Sequence, residues 1–269
     1  MKYVPALGAQ NYNHAKNLLK RKLFVRYCKP RVDLIREMVK FAGLKGNEKI
    51  LDAGCGNGDD LIQLRQRHKA GGELRGVDVS ETMIALARRS NKKRKADIDF
   101  SIGDITRLAF PDEHFDLVML KHVLHNIPDY QKALRECHRV LKRGGRLIVA
   151  VNSRKTMLVL RRLRPKIARL LKKNFFIDSD LHLNIENIAG KLQPPFADVQ
   201  KRKFESLIVL KNAKPYLEHL DSGKDFWGVD AKSWQKVMDF SKNYLTRILK
   251  RNKVIRDSAI VGLAKAVKS

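Results

Sequence analysis

Leu51-Asp52-Ala53-Gly54-Cys55-Gly56-Asn57-Gly58 is the stretch on which the fold of this chain turns. A short β-type run, Lys49 to Ala53, enters three glycines at alternate positions, and Asp59 to His68 follows with Leu61, Ile62 and Leu64 at helical spacing. Glycine lets the backbone turn sharply after a strand and lets a ligand come close to it. Glycine-rich turns also bind dinucleotides or simply join a strand to a helix, so the other strand ends must arbitrate.

Outward from this loop the alternation repeats. Leu74 to Val79 reads as a strand, Ser80 can cap a helix through Ser90, and Ile98 to Ile102 and Phe115 to Leu120 are further strands. Tyr130 to Leu141 places Ala133, Leu134, Cys137 and Leu141 on one helical face, Gly144-Gly145 ends that helix, and Arg146 to Val151 is a fifth strand. The expected class is therefore α/β, a Rossmann-like doubly wound sheet, mostly parallel with an antiparallel C-terminal strand. Residues 46–153 form its ligand-binding core. Residues 1–45 read as an N-terminal helical cap segment, with two helices between Ala15 and Gly43 broken at Pro30. Residues 154–196 read as a helical lid insertion, in which Thr156 to Lys173 is basic and amphipathic around Pro165. Residues 197–269 complete the sheet, with strands at Ala197 to Leu210 and Ser258 to Val267 and helices at Lys214 to Leu220 and Ser233 to Arg251.

The composition is that of a globular chain with one anomaly, a net charge of +28. The excess lies mostly outside the core: +9 for residues 1–45, +4 for 46–153, +10 for 154–214, −2 for 215–241 and +7 for 242–269. Such a surplus suits nucleic acid or an anionic membrane surface. Three widely spaced cysteines, Cys28, Cys55 and Cys137, fit reduced thiols in a cytoplasmic protein better than a disulfide framework. No signal peptide and no membrane span is expected, because the apolar runs are strand-sized.

At the end of the second strand Asp78 stands about 20 residues beyond the glycine loop, where a carboxylate can accept hydrogen bonds from ribose hydroxyls. Asp59 occupies the final glycine position of the usual GxGxxG dinucleotide fingerprint, which turns the reading away from a dehydrogenase. Asp104, after Gly103, adds a carboxylate at the third strand end, suited to an adenine amine with Ile105 beside the ring; singly it could equally be a turn cap. Asp52, Asp78 and Asp104 at successive strand ends form a constellation.

On these residues the chain resembles the class I S-adenosylmethionine-dependent methyltransferases, in particular their ubiquinone/menaquinone methyltransferase-like group. Phe115-Asp116-Leu117-Val118, His122-Val123-Leu124-His125-Asn126-Ile127 and Arg139-Val140-Leu141-Lys142-Arg143-Gly144-Gly145 resemble the family's later motifs. The resemblance implies S-adenosyl-L-methionine as methyl donor and S-adenosyl-L-homocysteine as product. It implies that backbone groups around Ala53 to Gly56 hold the methionine end, Asp78 the ribose and Asp104 with Ile105 the adenine, that Lys121 lines the methionine side largely through its backbone, and that Asp52, Ala53, Gly54, Cys55, Gly56 and Val79 all belong to the cofactor site.

A sulfonium is already an activated donor, so the protein has mainly to place the acceptor and exclude water. For a hydroxyl or amine acceptor, His122 and His125 are the candidate bases, against the blander roles of core packing and polar loop. Tyr12, His14 and Asn126 are candidate substrate contacts. No metal is expected, since no Cys or carboxylate completes a ligand set with the two histidines. The reading is methyl transfer to an oxygen or nitrogen of a small-molecule metabolite. The rival is a tRNA or rRNA methyltransferase whose basic flanks bind phosphates, although no RNA-binding module is present. A peripheral membrane protein, without stable insertion, is a third possibility raised by the Thr156 to Lys173 helix.

Overall fold

The computed structural model describes residues 2–4, 20, 24–177 and 182–269. From the N-terminus, strand β1 (Lys2–Val4) and the two-residue strand β2 (Cys28–Lys29) precede helix α1 (Leu34–Ala42). Then come β3 (Ile50–Ala53), α2 (Asp59–Arg67), β4 (Leu74–Asp78), α3 (Glu81–Arg94), β5 (Asp99–Ile102) and β6 (Phe115–Lys121). Helix α4 (Tyr130–Val140) leads into β7 (Leu141–Asn152). The chain continues through α5 (Leu158–Leu170), β8 (Phe175–Ile177), α6 (Ile188–Leu192), β9 (Val199–Leu210), α7 (Lys214–Asp221), α8 (Ala231–Asn252) and β10 (Ile255–Val267).

Eight strands make one sheet in the order β2-β9-β10-β7-β6-β3-β4-β5, parallel from β7 to β5, with β10 antiparallel to both β7 and β9. This is the Rossmann-like, doubly wound architecture that the alternating strands and helices specify. Strand order reverses between β3 and β6, so the crevice at the C-terminal ends of these strands is where a ligand should bind.

Helices cover both faces. On one, Val118, Leu120, Val149 and Val151 meet Leu134 and Cys137 of α4. On the other, Leu117, Met119 and Ile148 meet Ile35 and Met38 of α1 and Leu61 and Ile62 of α2. A third core lies beyond the sheet's edge. Val261 pairs with Asn152 at the end of β7, while Ile255 to Ile260 continue in register with Leu210 to Glu205. Six residue pairs therefore project about 20 Å past the parallel strands. Upon them close Leu163 and Ile167 of α5, Tyr216 of α7, Trp234 and Val237 of α8, and Phe24.

Several boundaries differ from the sequence reading. The break at Pro30 separates a 3-10 turn (Val25–Tyr27) and β2 from α1, not two helices, and β2 joins the sheet by pairing with Leu207 and Ile208. Most of Ala15 to Leu23 lies outside the described residues. Gly144-Gly145 does not end α4. That helix stops at Val140, and the glycines lie in a bulge of β7 between the pairs Phe115–Leu141 and Leu117–Arg146. Helix α3 runs on to Arg94 because Lys95, in a left-handed conformation, caps it. The 154–196 segment is not wholly helical: β8 pairs in parallel with β1, and α6 packs with Leu183, Ile185 and Phe196 on the α4 side of the sheet, apart from α5.

Candidate active site

The glycine loop leaves β3 with two amides donating to one carbonyl, Gly54 N and Cys55 N to Val77 O at 2.7 and 3.0 Å, which ties it to the neighbouring strand. Gly58, the N-cap of α2, has φ +74°, and a Cβ there would stand 2.6 Å from the Phe100 ring. Gly56 is different. Its φ is +54°, but among the described residues nothing lies within 4 Å of where its Cβ would be, so no described side chain fills this side of the turn.

Asp78 ends β4 and braces the loop: its Oδ2 accepts from Gly56 N at 2.8 Å and its Oδ1 from Ser80 N at 2.9 Å. Each carboxylate oxygen retains a lone pair for a further donor. Val79 and Ile102, 54% and 50% exposed, present apolar surface beside it. Asp104 is exposed and its Oδ1 caps the turn by accepting from Thr106 N at 2.8 Å. Ile105 belongs to the sheet core at 7% exposure, so Val79 and Ile102 are the exposed apolar side chains of this edge.

Asp52 is the unusual group. It is 1% exposed, and neither carboxylate oxygen has a hydrogen-bond partner among the described residues. Burial, followed by the charge of Asp60 and with a smaller contribution from Asp78, pushes its carboxyl well above the usual range, while Lys121 opposes the shift. Lys121 reaches Asp60 Oδ2 at 2.5 Å and Oδ1 at 2.6 Å. Lys121, expected to act largely through its backbone, also sends its ammonium from β6 to the first turn of α2. Asp60 was not singled out from the sequence, because an acid in a first helical turn reads as ordinary dipole complementation. Asp52 thus stands among two further acids, Asp60 and Asp78, with Lys121 as the lysine that acts on it. The Cys55 thiol is held protonated by burial and then by Asp52 and Asp78.

His122 follows β6 with φ +53°, its amide donating to Ala150 O at 2.9 Å. Burial pushes its imidazole down to about 3, with Lys121 and His125 adding to the effect. His125 is buried at 8% exposure in the following 3-10 turn. Asn126 donates to His122 O at 3.3 Å and its buried Oδ1 accepts nothing. Tyr12 and His14 lie outside the described residues. Among the described residues no group of three His, Cys, Asp or Glu side chains is placed to hold a metal ion, and no helix is long and apolar enough to cross a membrane.

A family model described as a methyltransferase domain matches residues 51–149. A demethylmenaquinone methyltransferase of Geobacillus sp. is 31% identical over 189 residues, 67% of this chain and 79% of that protein. One from Thermus thermophilus is 37% identical over 141 residues, 52% of this chain but only 60% of its own length. The chain therefore belongs to the class I S-adenosylmethionine-dependent methyltransferase family, in its ubiquinone/menaquinone methyltransferase-like group. The crystal structure of the YcgJ protein from Bacillus subtilis shares the fold, with a TM-score of 0.58 at 20% identity over 87% of this chain and 97% of that one.

Proposed function

We propose that this protein binds S-adenosyl-L-methionine in the crevice between the glycine loop and Asp78 and transfers its methyl group to a hydroxyl-bearing, quinol-like small molecule. The observation that carries the proposal is Asp52, a buried carboxyl group without a hydrogen-bond partner among the described residues, beside a lysine, Lys121, whose ammonium is already engaged by Asp60. Such a group is costly unless a donor or cation completes it, and the amino acid end of this ligand carries one. The side of the turn at Gly56 that no described side chain fills supplies the cradle.

When bound, the ligand supplies a sulfonium methyl that needs no further activation. Asp52, Asp60 and Asp78 attract its positive charge, with Asp78 free to accept from ribose hydroxyls through its remaining lone pairs. Val79 and Ile102 cover one face of the adenine, with Asp104 at the rim. Neutral at physiological pH, His122 can accept a hydrogen bond from the acceptor's hydroxyl and orient it, and the free Asn126 Oδ1 accepts a second. By accepting that hydrogen bond His122 polarises the O–H bond and enriches the oxygen and the ring carbon ortho to it as nucleophiles. The proton displaced on methylation would pass to solvent, since an imidazole that titrates at about 3 does not retain it. The named relatives, both demethylmenaquinone methyltransferases, support a quinone-type acceptor.

The test is calorimetric titration with S-adenosylhomocysteine, followed by incubation with labelled donor and a short-chain demethylated naphthoquinol. Saturable product binding and label in the extracted quinol support the reading. No binding refutes the ligand, and binding with label only in added RNA refutes the acceptor.

A further inference from the structure

Folding gathers the basic segments that lie far apart in sequence. Helix α5 and the following residues to Lys173 carry seven Lys and Arg and no acid. They pack beside the C-terminal half of α8, which adds Lys242, Arg247, Lys250 and Arg251. Helix α5 buries Leu160, Leu163 and Ile167. Its outer arc, Leu158, Arg162, Lys166, Arg169 and Leu170, is exposed, and the two leucines are 39% and 41% accessible. At 100° per residue these five span about 120° of the helix.

Between α5, α8 and the start of β10 lies a cleft of about 370 Å³, lined by Val159, Arg162, Tyr244, Ile248, Asn252, Val254 and Arg256. Val159, Tyr244, Ile248 and Val254 give it apolar walls, Arg162 and Arg256 add two guanidiniums, and among the described residues no carboxylate lines it. Asp257, the nearest acid in sequence, is committed elsewhere: it accepts from Leu158 N, Val159 N, Ser258 N and the Tyr216 hydroxyl. Neither Arg162 nor Arg256 has an ion-pair partner among the described residues. Two guanidiniums on one small cleft, above apolar side chains and beside exposed leucines, match a phosphate-bearing amphiphile.

We propose that this face docks the protein on an anionic membrane surface, with a lipid phosphate held between Arg162 and Arg256 and Leu158 and Leu170 entering the acyl boundary. The mode is interfacial, not spanning. Arg256 lies five residues beyond the Val261–Asn152 pair, about 16 Å past the end of β7 on the side where the crevice opens. A docked cap would therefore turn the crevice edge towards the lipid. The inference rests on the surface alone and stands apart from the identity of the methyl acceptor.

Sedimentation of the full chain with phosphatidylcholine vesicles, with or without 30% phosphatidylglycerol, tests it. The chain should bind only the anionic vesicles. Arg162→Gln with Arg256→Gln should weaken that binding about thirtyfold, the loss expected for two basic side chains at an anionic surface. Leu158→Ser with Leu170→Ser should weaken it as well, while S-adenosylhomocysteine affinity stays unchanged in both variants. Equal binding to both vesicles, no binding to either, or arginine variants that bind like the parent would each overturn the proposal. So would thermal protection by inorganic phosphate, or arginine-dependent retention of RNA, in a chain that ignores vesicles.

Discussion

Replacing Gly56 by alanine separates the loop's role in folding from its role in binding. The residue sits at φ +54°, where a Cβ costs about 1 kcal/mol, and among the described residues no atom within 4 Å would clash with it. The Gly56 amide bond to Asp78 survives the change. Urea melts should therefore show a loss of about 1 kcal/mol. S-adenosylhomocysteine affinity should fall at least about tenfold, or 1.4 kcal/mol, because the new methyl projects into the crevice. The comparison is Gly58→Ala, whose Cβ would meet the Phe100 ring at 2.6 Å at φ +74°. Strain and overpacking together make its stability loss about 2 to 4 kcal/mol. If Gly56→Ala binds the product as tightly as the parent, the open side of the loop is not the ligand's side and the proposed placement fails.

Other outcomes follow from the charges. Asp52 binds its proton more tightly in the native than in the unfolded chain, so stability falls as pH rises through the unfolded value of 3.8 towards the raised native one. Asp52→Asn should thus raise the melting temperature of the ligand-free protein at pH 7 while weakening S-adenosylmethionine binding, and a lower melting temperature would contradict the description of this carboxylate. Lys121→Met leaves Asp60 without its cation and should destabilise the ligand-free chain by on the order of 2 kcal/mol, partly restored by saturating S-adenosylmethionine in a thermal shift assay. His122 has a native pKa, about 3, below the unfolded 6.5, so the unfolded chain binds the proton first and stability is lost as pH falls between those values. His122→Asn, which tolerates the left-handed backbone, should flatten that slope in urea melts at pH 4.5 and 7.5.

The sheet was readable because its signals are local. A glycine turn after a short strand, an acid at each strand end and apolar residues at helical spacing each lie within about 30 residues of the next. What escaped depends on partners distant in sequence. β2 has only two residues and no periodicity of its own, and becomes a strand because Ile208 and Leu207 lie opposite it. Gly144-Gly145 looks like a helix stop until Lys268 is seen bonding to both glycines, Gly144 N to its carbonyl and its own amide to Gly145 O. At the site, Asp78 stood out by spacing from the glycine loop, but its bond to Gly56 did not, nor did the Lys121–Asp60 pair, because both require the helix and strand to be placed first. Ile105 looked available for a ring because it follows an edge aspartate; its side chain turns into the core, and Val79 and Ile102 are left at the surface.

The long antiparallel pair of β9 and β10 bears on how the enzyme opens. The same two strands that close the sheet beside β7 run on to form the floor of the third core, without a loop or glycine pair at the crossing point. An interdomain hinge needs a few residues free to change φ and ψ, and a continuous ladder of antiparallel hydrogen bonds provides none. The third core is therefore not expected to swing against the sheet about this strand pair when the crevice opens. Amides from Ile255 to Val267 should exchange with solvent as one slow block, in a single cooperative unit that includes both strands of the pair.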